Sequence, residues 1–89
     1  MEDKNTKQIT KQIRVYGIVQ GVGFRPTVSR HAMAWKVYGN VSNKGPYVEI
    51  FAQGTQEAVD GFISDIENKP PKRAAILKMN LEEVKDPPV

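Results

Sequence analysis

The chain has 89 residues, a size that allows one domain with a single hydrophobic core. It contains no cysteine and one histidine, which excludes disulfide bridges and thiolate metal sites and argues against a metal centre built from protein ligands alone. The net charge is +3, but acidic residues are interspersed among the basic ones, so the chain lacks the basic block expected of a nucleic-acid-binding protein.

The N-terminal region is polar and carries mixed charge over residues 1–12, unlike a signal peptide, and no apolar run in the chain approaches the length of a membrane span. We therefore expect a cytoplasmic protein that binds neither membranes nor nucleic acids. Residues 1–10 offer little to bury, so we predict a flexible leader there and one folded domain over residues 11–89.

The first predicted element is a strand over residues 11–19, where apolar and polar residues alternate and Ile13 and Val15 share one face. A glycine-rich stretch follows at once, with Gly21 and Gly23 ahead of Arg25. Glycine accepts positive φ, so successive N–H groups in such a stretch can converge on an anion.

Arg25 would add a full charge to that point, in a planar fork that matches phosphate or carboxylate oxygens. The same residues also fit a simple strand-to-helix turn with a solvated arginine, and the pattern alone does not decide between the two. Pro26 is predicted to occupy the first position of a helix, whose N-terminus adds partial positive charge nearby.

The first helix is predicted over residues 26–35 from the spacing of its apolar residues, which are Phe24, Val28, Ala32 and Trp35. His31 lies off this stripe, so we expect it to be solvated and assign it no catalytic role. Met33 and Trp35 are interpreted as core residues.

A hairpin is predicted next, with strands over residues 38–42 and 47–52 joined by a turn that contains Asn43 and Gly45. Asparagine is common in turns because its side chain caps the backbone and tolerates left-handed conformations. Its amide can also orient a water molecule. The residues by themselves leave both roles open for Asn43.

The second helix is predicted to be capped by Thr55 and to end before Pro70 and Pro71. Its apolar residues recur at helical spacing: Val59, Phe62, Ile63 and Ile66. A last strand is predicted over residues 74–84, with Ala75, Leu77, Met79 and Leu81 on one face. The order of elements predicts an α+β fold of the ferredoxin-like, split βαβ class, an antiparallel sheet with both helices on one face.

Three motifs lie along the chain: Gly17-x-Val19-Gln20-Gly21-Val22-x-Phe24-Arg25, Gly39-x-Val41-x-Asn43 and Val48-Glu49-Ile50. With these motifs, nearly the whole chain resembles the acylphosphatase family. Gly23, Pro26 and the pair Pro70-Pro71 are most similar to the N-terminal acylphosphatase-like domain of the hydrogenase maturation carbamoyltransferases, HypF. Those are much longer proteins, so the resemblance implies either an excised domain or a free-standing relative.

The resemblance implies hydrolysis of acyl phosphates, with carbamoyl phosphate as the expected substrate in hydrogenase maturation. Arg25 and the backbone amides of residues 20–24 would bind the phosphate, and Asn43 would hold the attacking water. The loop residues implied are Gln20, Gly21, Val22, Gly23 and Phe24. No metal or cofactor is expected. A non-catalytic phosphate-binding or docking module stays open as the alternative.

The chain departs from the family pattern at three positions, Lys36, Asn40 and Tyr47, which stand where glycine, tryptophan and glycine are usual. The sequence also closes with Lys-Asp-Pro-Pro-Val, where family members have a further edge strand. We therefore predict a monomer or a weak dimer that pairs through an open sheet edge.

Overall fold

The computed structural model describes residues 8–85, which fold in the order strand, helix, strand, strand, helix, strand. The elements are β1 (Gln8–Ile18), α1 (Phe24–Trp35), β2 (Tyr38–Asn43), β3 (Tyr47–Thr55), α2 (Gln56–Asn68) and β4 (Ala75–Glu83). The predicted ferredoxin-like fold is confirmed. Neither α1 nor α2 is long and apolar enough to cross a membrane.

The strands form one antiparallel sheet in the order β2, β3, β1, β4. In the part of the chain that the structure describes, β2 and β4 are the edges. Near the end of β1, Tyr16 pairs with Tyr47, and at the end of β2, Asn43 pairs with Val48. The loop after β1 and the turn after β2 therefore lie at the same end of the sheet.

The hydrophobic core lies between one face of the sheet and the two helices. β3 alternates buried and partly buried residues along its whole length, as expected for a central strand covered on one face. The sheet contributes Ile13, Val15, Val48, Ile50 and Ala52, and the helices contribute Phe24, Val28, Val59, Phe62 and Ile66. The helical stripes predicted from the sequence therefore supply much of the core.

The first strand begins earlier than predicted. β1 starts at Gln8, so residues 8–10, which we assigned to a flexible leader, belong to the sheet. Thr10 is buried, and its carbonyl oxygen accepts a hydrogen bond from the N–H of Val84 at 2.8 Å. The polar side chains are misleading here because strand pairing uses the backbone. Residues 1–7, the rest of the predicted leader, lie outside the described residues.

Helix α1 also begins before its predicted start, at Phe24, with Gly23 as the N-cap at φ 77°. Pro26 is therefore the third helical residue and not the first. It still lies in the first turn, where a backbone N–H has no intrahelical partner to lose. At the other end, Lys36 takes the left-handed conformation, with φ 57° and ψ 44°. This is the position where glycine is usual in the family, and a non-glycine residue there costs about 1–2 kcal/mol.

Strand β4 does not present the face that we predicted. Its register against β1 slips by one residue at Leu77, whose side chain is 79% exposed. Ile76 packs against the core instead, together with Met79. The prediction that Ala75, Leu77, Met79 and Leu81 share one face is therefore wrong, because a β-bulge breaks the alternation.

Two side chains of α1 also differ from the prediction. Met33 is 79% exposed and does not belong to the core. His31 is only partly exposed, because it packs beside the end of α2: its Nε2 lies 3.0 Å from the carbonyl oxygen of Lys69, and its Nδ1 lies 4.0 Å from Oδ2 of Asp65. Trp35 packs against the core as predicted.

Candidate functional site

A cavity of about 220 Å³ opens where the loop after β1 meets the turn between β2 and β3. Its lining residues are Val19, Gln20, Gly21, Gly23, Phe24, Arg25, Pro26, Asn43 and Val48. Arg25 and Asn43 are far apart in the sequence, and the sheet order brings them to one cavity. We call this space the candidate cavity.

The loop over residues 20–24, here the glycine loop, contains two glycines in the left-handed region of φ. Gly21 and Gly23 have φ values of 67° and 77°, both left-handed. Among the described residues, and apart from the chain neighbours, no atom lies within 4 Å of the place where a Cβ would stand at either glycine, so conformation and not space explains the residue type. The N–H groups of the first turn of α1 follow directly, and no acidic side chain lies in that turn. This favours an anion site over a simple turn.

Arg25 is the second residue of α1 and is exposed at the candidate cavity. Within residues 8–85, none of the ion pairs involves Arg25. Arg30, one and a half turns further along the helix, instead donates to Oγ1 of Thr27 at 3.1 Å. With respect to residues 8–85, the guanidinium of Arg25 therefore keeps its N–H donors for a ligand.

Asn43 is the last residue of β2, and its side chain caps the turn. Its Oδ1 accepts a hydrogen bond from the N–H of Gly45 at 2.9 Å. Because the partner is a donor, the atom that faces it is the amide oxygen, and the amide NH₂ group is left with its hydrogens. The two roles that the sequence left open for Asn43 are thus compatible, since they use opposite ends of one amide.

Gln20 connects the two halves of the site. Its Nε2 donates to the carbonyl oxygen of Gly45 at 3.1 Å, which joins the glycine loop to the hairpin turn. We had assigned Gln20 to the phosphate loop through its backbone only. Nothing in the local pattern of the sequence indicates this bond, because its partners lie 25 residues apart.

Val22 is the one predicted loop residue that does not line the candidate cavity. It borders a second cleft of about 480 Å³, together with Arg30, His31 and Pro70. Any contribution of Val22 to anion binding must therefore come from its backbone N–H.

Tyr47 does not obstruct the candidate cavity, although glycine is usual at its position. Its ring lies on the open face of the sheet, with the centroid 5.2 Å from that of Tyr16 and 5.5 Å from the guanidinium carbon of Arg14. Its carbonyl oxygen accepts a hydrogen bond from the N–H of Lys44 at 2.9 Å, which closes the turn.

Residues 11–89 match the model of one protein family, Acylphosphatase. The chain belongs to the acylphosphatase family. It is 38% identical over 72 residues to the acylphosphatase of Staphylococcus aureus strain Newman, covering 81% of each chain. The crystal structure of acylphosphatase from Bacillus subtilis superposes with a TM-score of 0.80 at 32% identity and covers 88% of this chain and 87% of that one. The predictions of the family and of an acylphosphatase-type enzyme are confirmed.

A longer relative is more similar in sequence. The probable carbamoyltransferase HypF of Methanocaldococcus jannaschii is 49% identical over 74 residues, which are 83% of this chain and 10% of that protein. The chain therefore corresponds to about a tenth of the length of that relative. The predicted likeness to the acylphosphatase-like region of HypF is confirmed.

Proposed function

We propose that the chain hydrolyses acyl phosphates at the candidate cavity. The observation that carries the proposal is the meeting of Arg25 and Asn43 at one cavity beside two left-handed glycines. Arg25 and the N–H groups of the glycine loop bind the phosphoryl oxygens, and the amide NH₂ group of Asn43 holds a water molecule.

In the proposed reaction the water oxygen forms a bond to phosphorus while the bond from phosphorus to the acyl oxygen breaks. The carboxylate leaves with the bonding electrons, and the proton of the water passes to a phosphate oxygen. Catalysis then rests on positioning the water and on stabilising charge at the equatorial oxygens, for which fixed N–H donors and a guanidinium are suited. No step needs a strong base.

Carbamoyl phosphate is the substrate that we propose for the chain in its biological setting. The support is the higher identity to the HypF sequence, 49%, than to the Staphylococcus acylphosphatase, 38%. In this proposal the domain works within, or beside, a larger carbamoyltransferase of hydrogenase maturation.

The test is hydrolysis of benzoyl phosphate and carbamoyl phosphate by the wild-type chain and by Arg25→Ala and Asn43→Ala. Loss of one preorganised donor group lowers kcat by about 100-fold or more, so we expect at least that reduction in kcat for each variant. Arg25→Ala should also lose inhibition by inorganic phosphate, whereas Asn43→Ala should keep it.

Arg73→Ala serves as the matched control, because Arg73 is an exposed arginine that does not line the candidate cavity. It should retain wild-type rates. If the wild-type chain hydrolysed acyl phosphates no faster than Arg25→Ala, the proposal that the chain is an enzyme would be wrong. If phosphate binding nevertheless depended on Arg25, the chain would be a phosphate-binding module. Equal kcat/KM for carbamoyl phosphate and benzoyl phosphate would count against the proposed substrate alone.

A further inference from the structure

The side chain of Gln20 makes a contact that its predicted role does not use. In that role only the backbone N–H of Gln20 binds phosphate. Its Nε2 instead donates to the carbonyl oxygen of Gly45 at 3.1 Å. The side chain is therefore directed to the hairpin turn, and its bond needs an explanation of its own.

Gly45 is contacted from both sides of the site at once. Its carbonyl oxygen accepts from Gln20, and its N–H donates to Oδ1 of Asn43 at 2.9 Å. Both contacts belong to the backbone of one residue, so a displacement of Gly45 displaces the partner of the Asn43 amide. Gln20, Gly45 and Asn43 thus form a continuous chain of hydrogen bonds.

Packing does not hold Gly45 in place. The residue is exposed, has φ 97°, and has no atom within 4 Å of the place where a Cβ would stand. The bond from the N–H of Lys44 to the carbonyl oxygen of Tyr47 closes the turn, but it does not join the turn to the glycine loop. The bond from Gln20 makes that connection.

We propose that Gln20 is a positioning residue, which acts through Gly45 to set the Asn43 amide relative to Arg25. The inference rests on the proposed function, in which Asn43 holds the attacking water and Arg25 binds the phosphoryl group. Water and phosphorus are then held by two separate segments, and their alignment depends on the spacing between those segments. Small displacements of oriented reactants lower rates strongly, so Gln20 acts on kcat and not on phosphate binding.

The first experiment compares Gln20→Ala with the wild-type chain. Loss of one neutral hydrogen bond should lower kcat by about five- to tenfold. The inhibition constant of inorganic phosphate should stay within about twofold of the wild-type value. The reason is that the proposed contacts of phosphate, in the ground state and in the transition state alike, do not include the Gln20 side chain. Gln56→Ala is the control, since Gln56 makes a similar exposed bond, to Asp60 at 3.2 Å, on α2. It should leave both constants unchanged.

The second experiment uses Gln20→Glu, which keeps the length of the side chain but donates only when protonated. An ordinary glutamate has a pKa of about 4.3, so its carboxyl becomes protonated as the pH falls from about 7 to about 4. The kcat of Gln20→Glu relative to wild type should therefore rise over this range. The relative kcat of Gln20→Ala should not change with pH. Thermal denaturation under the assay conditions checks that all variants are folded. If Gln20 only stabilised the fold, the kcat ratios of the folded variants would not change with pH.

Two kinetic results would overturn the proposal. One is a kcat for Gln20→Ala within about twofold of wild type. The other is a loss of phosphate binding as large as in Arg25→Ala, which would make Gln20 a direct ligand. If the wild-type chain hydrolysed no acyl phosphate, the proposed function would fail separately, and NMR would still test the connection. The resonances of the Gly45 N–H and the Asn43 side-chain amide should shift in Gln20→Ala, and unchanged resonances would reject it.

Discussion

Gly61 lies in the middle of α2, a position where glycine lowers helix stability by about 1 kcal/mol relative to alanine. The structure explains the residue by what lies beside it. A Cβ on Gly61 would overlap ring atoms of Trp35, which crosses from α1. The ring is also held by a hydrogen bond from its Nε1 to Oδ2 of Asp65 at 2.9 Å. Close approach of the two helices therefore requires the glycine.

We expect Gly61→Ala to destabilise the protein by about 1 kcal/mol, because the overpacking cost of about 1–3 kcal/mol exceeds the gain in helix propensity. In a Trp35→Ala background the obstruction is gone, and the same substitution should stabilise by about 0.5–1 kcal/mol. Urea denaturation of the four proteins measures both effects. A stabilising Gly61→Ala in the wild-type background would contradict this explanation.

At the scale of elements, the contact between α1 and α2 is built around Asp65. Its carboxylate accepts from Trp35, lies 3.7 Å from Nζ of Lys69 and lies 4.0 Å from Nδ1 of His31. The hydrogen bond from Trp35 is the main cause that lowers the pKa of the Asp65 carboxyl below its ordinary value. Partial burial opposes this shift, and the charges of Lys69 and His31 add to it. The contact therefore depends on an ionised Asp65.

A carboxyl with a lower pKa in the folded state stabilises the fold above its unfolded pKa, about 3.9, and loses that contribution as the pH falls further. The difference in urea midpoint between wild type and Asp65→Asn should therefore be largest near neutral pH and should shrink below about pH 4. Asp60→Asn is the control, since Asp60 is a second aspartate of α2 with a side chain 54% exposed. A difference for Asp65→Asn that does not vary with pH would reject the assignment.

At the scale of the whole molecule, the sheet holds both ends of the described chain together. Residues 8–10 pair with β3, and the N–H of Val84, just after β4, donates to the carbonyl oxygen of Thr10. Ile9 packs against the core as well. Among the described strands, β2 and β4 form the sheet edges, and pairing of two copies through an open edge stays a prediction.

A variant that begins at Lys11 should therefore be less stable than one that begins at Gln8. We expect a loss of about 2 kcal/mol or more, from the buried area of Ile9 and from unpaired backbone groups. Guanidinium denaturation of the two shortened chains measures the difference. Equal midpoints would show that the folded domain starts at residue 11, as the sequence alone indicates.

Local periodicity was sufficient to predict every helix and strand of the described region. The stripes of α2, the alternation of β3 and the Thr55 cap, whose Oγ1 accepts from the N–H of Ala58 at 3.1 Å, each depend on neighbours in the chain. Three of the errors fall where a distant segment decides the outcome, namely the backbone pairing of residues 8–10, the bulge at Leu77 and the packing of His31 against the end of α2.

The same difference between local and distant signals applies to the candidate site. Glycines ahead of Arg25 allow an anion site or a simple turn, because conformational freedom and charge are properties of a short segment that serve both. Asn43 and Gln20 carry no such local signal, since an asparagine or a glutamine becomes specific only through its partner. The partner of Gln20 is 25 residues away. The sequence by itself thus determined the elements and the glycine loop, and only the tertiary structure decided what faces that loop, because strand order is set by packing between distant segments.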